Sequence, residues 1–245
     1  DKMGNITKLQ RKHENVLVDN LTIDYNNNTQ NQIKYVNDNG IQQSIYGLKD
    51  YQNKSNTQDE FAYDANGNMT KDLDRDIVTI RYNLLNLPEV IQFRNGNQIK
   101  NLYNAGGQKL GTEYFAKLVG IVLPIDKDTV CSWTYASGLV NQKGTIYIDN
   151  KEYNTLNGNV ALTALSRVHN AEGYVENITS TPNYYYFRKD HLGNNREVWL
   201  ANSDTTIQRT QYYPSGLPWA EGTGASVQNK KYNGKEWIEM HGYDT

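Results

Sequence analysis

The sequence has little of what usually builds a large apolar core or a reactive centre. Its 245 residues include one cysteine, Cys131, so no internal disulfide forms and no cysteine-based zinc site is available. Five prolines are too few for a collagen-like chain or a Pro-rich linker. Residues 1–30 hold no hydrophobic stretch of the signal-peptide kind. The longest apolar run, Leu118 to Ile125 with Gly120 and Pro124 inside it, is far short of the ~20 residues of a membrane-spanning helix. An excess of one charge sign is also missing. The 25 basic and 27 acidic side chains leave a net charge of −2, which argues against a general nucleic-acid binder and against polybasic attachment to a membrane surface. Apolar residues reach only 37%, below the usual ~45–50%. With so little net charge, this is the composition of a folded but polar chain with a thin core, one large domain or two small ones.

What the chain has instead is Tyr, Gly and Asn, 19, 19 and 32 times, against only four Phe. Tyr suits half-buried pleated surfaces, with an apolar ring and a hydroxyl that finds water or a partner. Strand-like runs rich in β-branched and aromatic residues dominate: 21–25, 32–36, 77–82, 89–94, 145–148, 184–188, 197–200 and 207–213. Turn residues separate them, and the pattern predicts an all-β fold. One short segment, Val160 to Val168, keeps a helical apolar period. Asn-Gly recurs at 39–40, 66–67, 95–96, 157–158 and 233–234, a dipeptide that suits tight hairpins. At 88–103 a two-residue Asn95-Gly96 turn pairs Phe93 with Gln98. A three-residue loop with Gly96 left-handed pairs Ile91 with Ile99, and is preferred because it sets two apolar residues opposite each other.

The chain also repeats itself. Tyr25, Tyr46, Tyr63, Tyr82 and Tyr103 recur at about 20 residues, the length of one hairpin, which is marginal alone and must stack on its neighbours. The run Tyr63-Asp64-Ala65-Asn66-Gly67-Asn68-Met69-Thr70 is echoed by Asp1-Lys2-Met3-Gly4-Asn5-Ile6-Thr7 and by Tyr103-Asn104-Ala105-Gly106-Gly107-Gln108. The first echo lacks its Tyr, so more repeats are expected upstream. Within the repeat, Asp64 and Asn66 are expected to bond the backbone of their own turn, Gly67 to supply its dihedral, and Tyr63 to supply ring area to the next strand.

Chemistry-bearing residues are sparse. Asp190-His191 is the one place where an acid immediately precedes a histidine. Neighbours on a strand point to opposite faces, so the pair makes a poor dyad and reads better as part of a turn. His13, His169, His191 and His241 have no metal-ligand spacing, and Cys131 beside Trp133 reads as a small inert hydrophobe. Asp72, Asp74 and Asp76 flank Arg75 and offer oxygen ligands of the kind Ca²⁺ takes. The EF-hand glycine and terminal acid are replaced by Ile77 and Asn83, and a solvated strand face or turn is the alternative. Trp133, Trp199, Trp219 and Trp237 suit either stacking on sugar rings or filling the faces of the sheet.

Tyr-Asp-x-x-Gly-Asn-Met-Thr at 63–70 resembles the YD repeat of the rearrangement-hotspot (RHS) proteins, whose relatives include shell components of insecticidal toxin complexes, teneurins and bacterial wall-associated proteins. The C-terminal third is similar to the RHS-associated core in three steps taken in order. The first is Asp190-His191-Leu192-Gly193 with Arg196. The second is Tyr213-Pro214 with Gly216, Ser215 standing in an aromatic slot. The third is Tyr232-Asn233-Gly234 with Glu236. The resemblance divides the chain into YD-repeat hairpins over 1–110, a divergent β-rich region over 111–183 and a truncated core over 184–245. It implies stacked hairpins in a curved, twisted antiparallel sheet, part of an RHS-type β-shell. The residues it marks as the structural motif are Tyr63, Asp64, Gly67, Asn68, Asp190, His191, Leu192, Gly193, Arg196, Tyr213, Pro214, Gly216, Tyr232, Gly234 and Glu236. The chain stops at His241-Gly242-Tyr243-Asp244-Thr245, where the family's core runs on toward a variable effector, so self-cleavage is assigned to no residue here.

The expectation is therefore a non-enzymatic structural module of a large secreted or cell-surface bacterial protein, without cofactor or metal. Its partners are the rest of the same polypeptide, including a C-terminal effector, and further copies through exposed strand edges. Nucleic acid and a membrane span are not expected. The alternative is a cell-surface adhesion or carbohydrate-binding module of a wall-associated protein.

Overall fold

A computed structural model describes residues 1–13, 15–41, 51, 53–55, 57–117, 139–156, 159–212, 216, 218–221, 228–235, 237–238 and 243–244. Sequence readings that fall on Cys131, Trp133, Tyr213, Pro214, Glu236 and His241, or on the side chains of His13, Trp219 and Trp237, lie outside the described residues. The chain divides into two compact units: 1–42 with 51–148 and 153–164, and 43–50 with 149–152 and 165–245.

The first unit starts with β1 (Lys8–His13), β2 (Val16–Tyr25) and β3 (Ile33–Asp38), an antiparallel sheet in chain order. A meander follows: β4 (Phe61–Tyr63), β5 (Met69–Asp72), β6 (Ile77–Tyr82), β7 (Pro88–Phe93), β8 (Gln98–Tyr103), β9 (Lys109–Lys117) and β10 (Leu139–Ile148). The strands β11 (Lys151–Leu156) and β12 (Asn159–His169) come next. In the second unit the same antiparallel succession runs through β13 (Gly173–Glu176), β14 (Asn183–Lys189), β15 (Asn195–Leu200), β16 (Thr205–Tyr212) and β17 (Pro218–Glu221). The short pair β18 (Trp237–Ile238) and β19 (Tyr243–Asp244) completes the described strands. Within each unit the hydrogen-bonded neighbours of the meander are neighbours in sequence, and the fold is all-β and antiparallel. No described helix is long and apolar enough to cross a membrane.

The strands form where β-branched and aromatic residues cluster, and they carry the core. In the first unit Ile77, Val78, Ile80, Ile91, Phe93, Ile99 and Phe115 are buried, with Val18, Leu21 and Val36 from the first sheet. Buried amides and hydroxyls share that interior: Gln92, Gln98, Asn101 and Thr112. Gln98 donates to Gln92 at 2.6 Å and Thr112 to Asn101 at 3.0 Å. Pairing replaces apolar mass with hydrogen bonds, as a chain poor in Leu and Phe requires. In the second unit Tyr174, Tyr185 and Val198 form the core, with Phe187, Leu200 and Ile207 packed against them.

Two local readings are settled by register. Ile91 pairs with Ile99 and Gly96 has φ of 88°, the three-residue alternative. The helical candidate at 160–168 lies inside strand β12, whose Val168 and His169 pair with Val175 and Tyr174. Nine residues are too few to hold a helix without packing support, and ladder bonds to neighbouring strands override so short a pattern.

Candidate functional site: turn cassettes and tyrosine clamps

Among the described residues five turns share one geometry. Each begins with an Asp or Asn whose Oδ1 accepts the backbone N–H groups two and four residues ahead. Asp64 accepts from Asn66 (2.9 Å) and Asn68 (2.8 Å). Asp1 accepts from Met3 and Asn5, Asn83 from Leu85 and Leu87, Asn104 from Gly106 and Gln108, and Asp190 from Leu192 and Asn194. In every case the N–H three residues on donates to the opening residue's carbonyl. The residue making that bond is left-handed: Gly4, Gly67, Asn86, Gly107 and Gly193, with φ between 57° and 86°. Gly adopts this region without a Cβ penalty and Asn tolerates it, which is why the fourth position is restricted.

The opening carboxylates are tuned by these bonds. Donation from the Asn68 side chain and from the turn backbone holds Asp64 below the usual carboxylate range. At Asp190 loss of hydration pushes upward, but donation from Asn194 and Leu192, with Arg196 nearby, outweighs it and the carboxyl is lowered. Both therefore contribute stability above the normal carboxylate pKa and lose it as pH falls through the lowered value.

A second regularity crosses from one unit of the pattern to the next. After four of these turns, and after the longer turn that follows β2, the next residue offers its carbonyl to the hydroxyl of the next repeat's tyrosine. Tyr25 donates to Ile6 (2.9 Å), Tyr63 to Ile33 (3.1 Å), Tyr82 to Met69 (2.7 Å), Tyr103 to Pro88 (3.2 Å) and Tyr212 to Asn195 (2.8 Å). This gives the excess of Tyr over Phe a physical cause. The ring fills the sheet surface and its hydroxyl staples the strand to the preceding turn. Tyr82→Phe is expected to cost about 1 kcal/mol, the net worth of one such bond, read as a lower urea midpoint with unchanged m-value.

In the first unit the turns also touch one another. Asn66 and Asn68 both donate to the Asn86 side chain, at 2.9 and 3.0 Å. A Cβ on Gly107 would sit 3.3 Å from Leu87. The stack is interrupted where the turn after β2 is longer: Asn26 accepts from Gln30 and donates to the Gln32 carbonyl. A polar groove of about 660 Å³ opens there, lined by Asn26, Asn28, Gln32, Asn66, Phe61 and Tyr63 among others.

The motif residues fall into two groups. Tyr63, Asp64, Gly67 and Asn68 build one cassette of the first unit. In the second unit Asp190 and Gly193 build another, with His191 and Leu192 exposed at its tip. The Asn194 side chain accepts the Asn233 N–H at 2.9 Å. The Tyr232 ring lies against Gly216, where a Cβ would come within 2.7 Å of it. Gly234 is left-handed at 71°. The Arg196 guanidinium lies over the Tyr212 ring at 5.6 Å. Asp190 and His191 thus belong to a turn rather than a strand, and both Asp190 oxygens are occupied by that turn.

Several features escape the sequence reading. The Asn83 cassette has Asn in place of both Asp and Gly, and only the preceding Tyr82 marked it. Residues 73–76 form a turn, the second half of that alternative, but Asp72 and Asp74 are buried rather than solvated. Asp72 is bonded by Arg75, Asp74 by Tyr51 and Asp76 by Lys54, each at 2.5 Å. Among the described residues no group of His, Cys, Asp and Glu is arranged to hold a metal. A partly buried pair, His169 Nε2 with Glu152 Oε2 at 2.9 Å, joins residues 17 apart in sequence. Burial pushes Glu152 up, but the His169 bond and the Arg167 charge outweigh it and hold the carboxyl low. Trp199 spends its indole N–H on Asp204 at 3.1 Å.

No family model matches this sequence, and no curated protein does. Among solved structures the chain is similar to one in the crystal structure of TcdB2-TccC3-Cdc42, with a TM-score of 0.57 and 12% identity over 94% of this chain and 11% of that one. It is similar to one in TcdB2-TccC3, with a TM-score of 0.55, 12% identity and the same coverage. It also resembles one in TcdB2-TccC3 without the hypervariable C-terminal region, with a TM-score of 0.50 and 10% identity over 90% and 11%. At these identities the likeness is one of fold, and the chain spans 11% of the length of these three chains.

Proposed function

We propose that this chain is a non-catalytic structural module of a large RHS/YD-repeat polypeptide, a stretch of β-shell that encloses an effector or toxin polypeptide delivered outside the cell. The observation that carries the reading is the recurrent cassette with its tyrosine clamp, present in both units. Register is fixed by turns and hydroxyls rather than by a thick apolar core. Sheet faces are then free to be polar, and a face of amides and hydroxyls holds an unfolded chain without strong hydrophobic sticking. The fold likeness to chains of the TcdB2-TccC3 toxin complex supports the same reading.

The test uses the full parent polypeptide. Its C-terminal segment is expected to resist protease until denaturant opens the sheet, while the same segment expressed alone is digested. Equal digestion of both defeats the shell reading. Intact mass after long incubation of the present chain reports on catalysis, since a discrete self-cut contradicts a non-catalytic module.

The groove at the interrupted turn stack favours a second reading, glycan binding, because planar amides beside an aromatic ring are the chemistry that holds a sugar. Titration of soluble oligosaccharides against the Asn26, Asn28 and Asn66 side-chain amide signals is its measurement. Signals that never move discard it.

A further inference from the structure

The first unit contains a feature that the cassettes do not use. Four acidic side chains, Asp19, Glu60, Asp72 and Asp74, are each at least nine-tenths buried, and they meet where the β1–β3 sheet adjoins the meander. Glu60 spans the junction. Its backbone N–H donates to the Lys34 carbonyl at 3.2 Å and its carbonyl accepts from Leu73 at 3.1 Å. Its side chain accepts the Val36 N–H at 2.8 Å and is hydrogen-bonded to Asp74. A second strand of bonds crosses the same junction: Tyr51 donates its N–H to Asp19 (2.9 Å) and its hydroxyl to Asp74, and the Ser55 N–H donates to Asp74 at 3.1 Å.

The charges facing Glu60 are Asp74 and Asp72. The nearby cations are turned to other partners: Arg75 bonds Asp72, Lys54 bonds Asp76, Arg11 bonds Asp19, and Lys34 lies 3.9 Å from the exposed Asp59. Two carboxyls in hydrogen-bond contact hold one proton between them and repel when both are ionised.

We propose that this cluster is a proton-operated clasp, in which a proton shared by Glu60 and Asp74 holds β3 to the β4–β5 segment and its loss loosens that junction. Burial pushes Glu60 up to about 7, only partly offset by the Val36 N–H and reinforced by the Asp74 and Asp72 charges. Burial raises Asp74 as well, against the bonds from Tyr51 and Ser55. The sign follows directly. The folded state keeps a proton that the unfolded chain releases near pH 4.5, so stability is complete below that value. It falls as pH rises through about 7 and is level above it. This is the reverse of the acid sensitivity carried by the cassette carboxylates.

Amide exchange of the present chain tests the clasp, with rates corrected for intrinsic pH dependence. The Val36 and Leu73 amides, both bonded to Glu60, are expected to lose about tenfold or more protection between pH 5.5 and pH 8, the loss levelling off above about 7. Val198 and Tyr185 in the second unit are expected to keep theirs. Glu60→Gln keeps an acceptor for Val36 and a donor for Asp74 without a titrating proton, and is expected to stay protected at pH 8. Unchanged protection of Val36 and Leu73 in the wild-type chain overturns the proposal. So does an equal loss in both units, or an unaltered loss between pH 5.5 and pH 8 in Glu60→Gln. If that variant does not fold, the wild-type profile still decides, and Asp74→Asn is the second variant.

Discussion

Gly40→Ala is expected to destabilise the first unit by about 3 kcal/mol or more, the upper range for overpacking against atoms that cannot yield. Gly40 runs against the backbone of β2. A Cβ there would overlap the Val18 carbonyl oxygen, with the Val18 carbonyl carbon at 2.6 Å and the Asp19 Cα at 2.9 Å. None of these atoms belongs to a flexible side chain. The flanking bonds hold the segment in place: Asn39 N–H to Asn20, Ile41 N–H to Leu17, and Gly40 N–H to the Asp38 side chain at 2.7 Å. Gly193→Ala is the informative comparison. Among the described residues a Cβ at Gly193 meets nothing within 4 Å, so its φ of 86° is what opposes alanine, a cost of about 1–2 kcal/mol. Urea unfolding of both variants separates the two causes. A Gly40→Ala value no larger than that of Gly193→Ala contradicts the close approach.

Gly40 also shows where sequence reading stops. Asn39-Gly40 has the letters of a hairpin turn, yet neither residue is left-handed. The glycine is there for the strand it touches, and that strand lies about 20 positions earlier. At Asn95-Gly96 the same letters gave the correct loop, because both partners, Ile91 and Ile99, lie in one hairpin. The strands themselves were legible from β-branched and aromatic clustering, and all eight predicted runs coincide with described strands. What stayed hidden depends on the third dimension. The Tyr82 hydroxyl needs the Met69 carbonyl 13 residues back. The Asn83 turn replaces the expected Gly with Asn86. The Glu60 cluster draws on Asp19, Tyr51 and Asp74, which no spacing rule groups. Asp190-His191-Leu192-Gly193 drew notice as a separate signature, although its backbone geometry is that of Asp64-Ala65-Asn66-Gly67.

The second large effect is expected at Tyr174, where one side chain separates ring from hydroxyl. Tyr174 is 1% exposed. Its ring stacks on Tyr185 with centroids 4.5 Å apart and 13° between planes. Phe187 and His169 lie at 5.7 and 5.9 Å, and the Arg167 guanidinium sits 4.7 Å over the ring. Tyr174→Ala is expected to cost about 3–5 kcal/mol, as for a fully buried aromatic, because the cavity opens beneath an arginine held in place by Glu176 at 2.8 Å. The hydroxyl behaves differently. Among the described residues it is buried with no hydrogen-bond partner, and burial raises its pKa, so it remains a neutral donor with nothing there to donate to. An unmet polar group costs desolvation without return, and Tyr174→Phe is therefore expected to be neutral or stabilising. Tyr82→Phe, the same chemical change at a clamp, is expected to cost about 1 kcal/mol. Opposite signs for one substitution at two tyrosines would separate the ring's contribution from that of the hydroxyl. A Tyr174→Phe loss as large as that at Tyr82 would instead place an ordered water on the Tyr174 hydroxyl, making this core polar in the same way as the Gln92–Gln98 interior of the first unit.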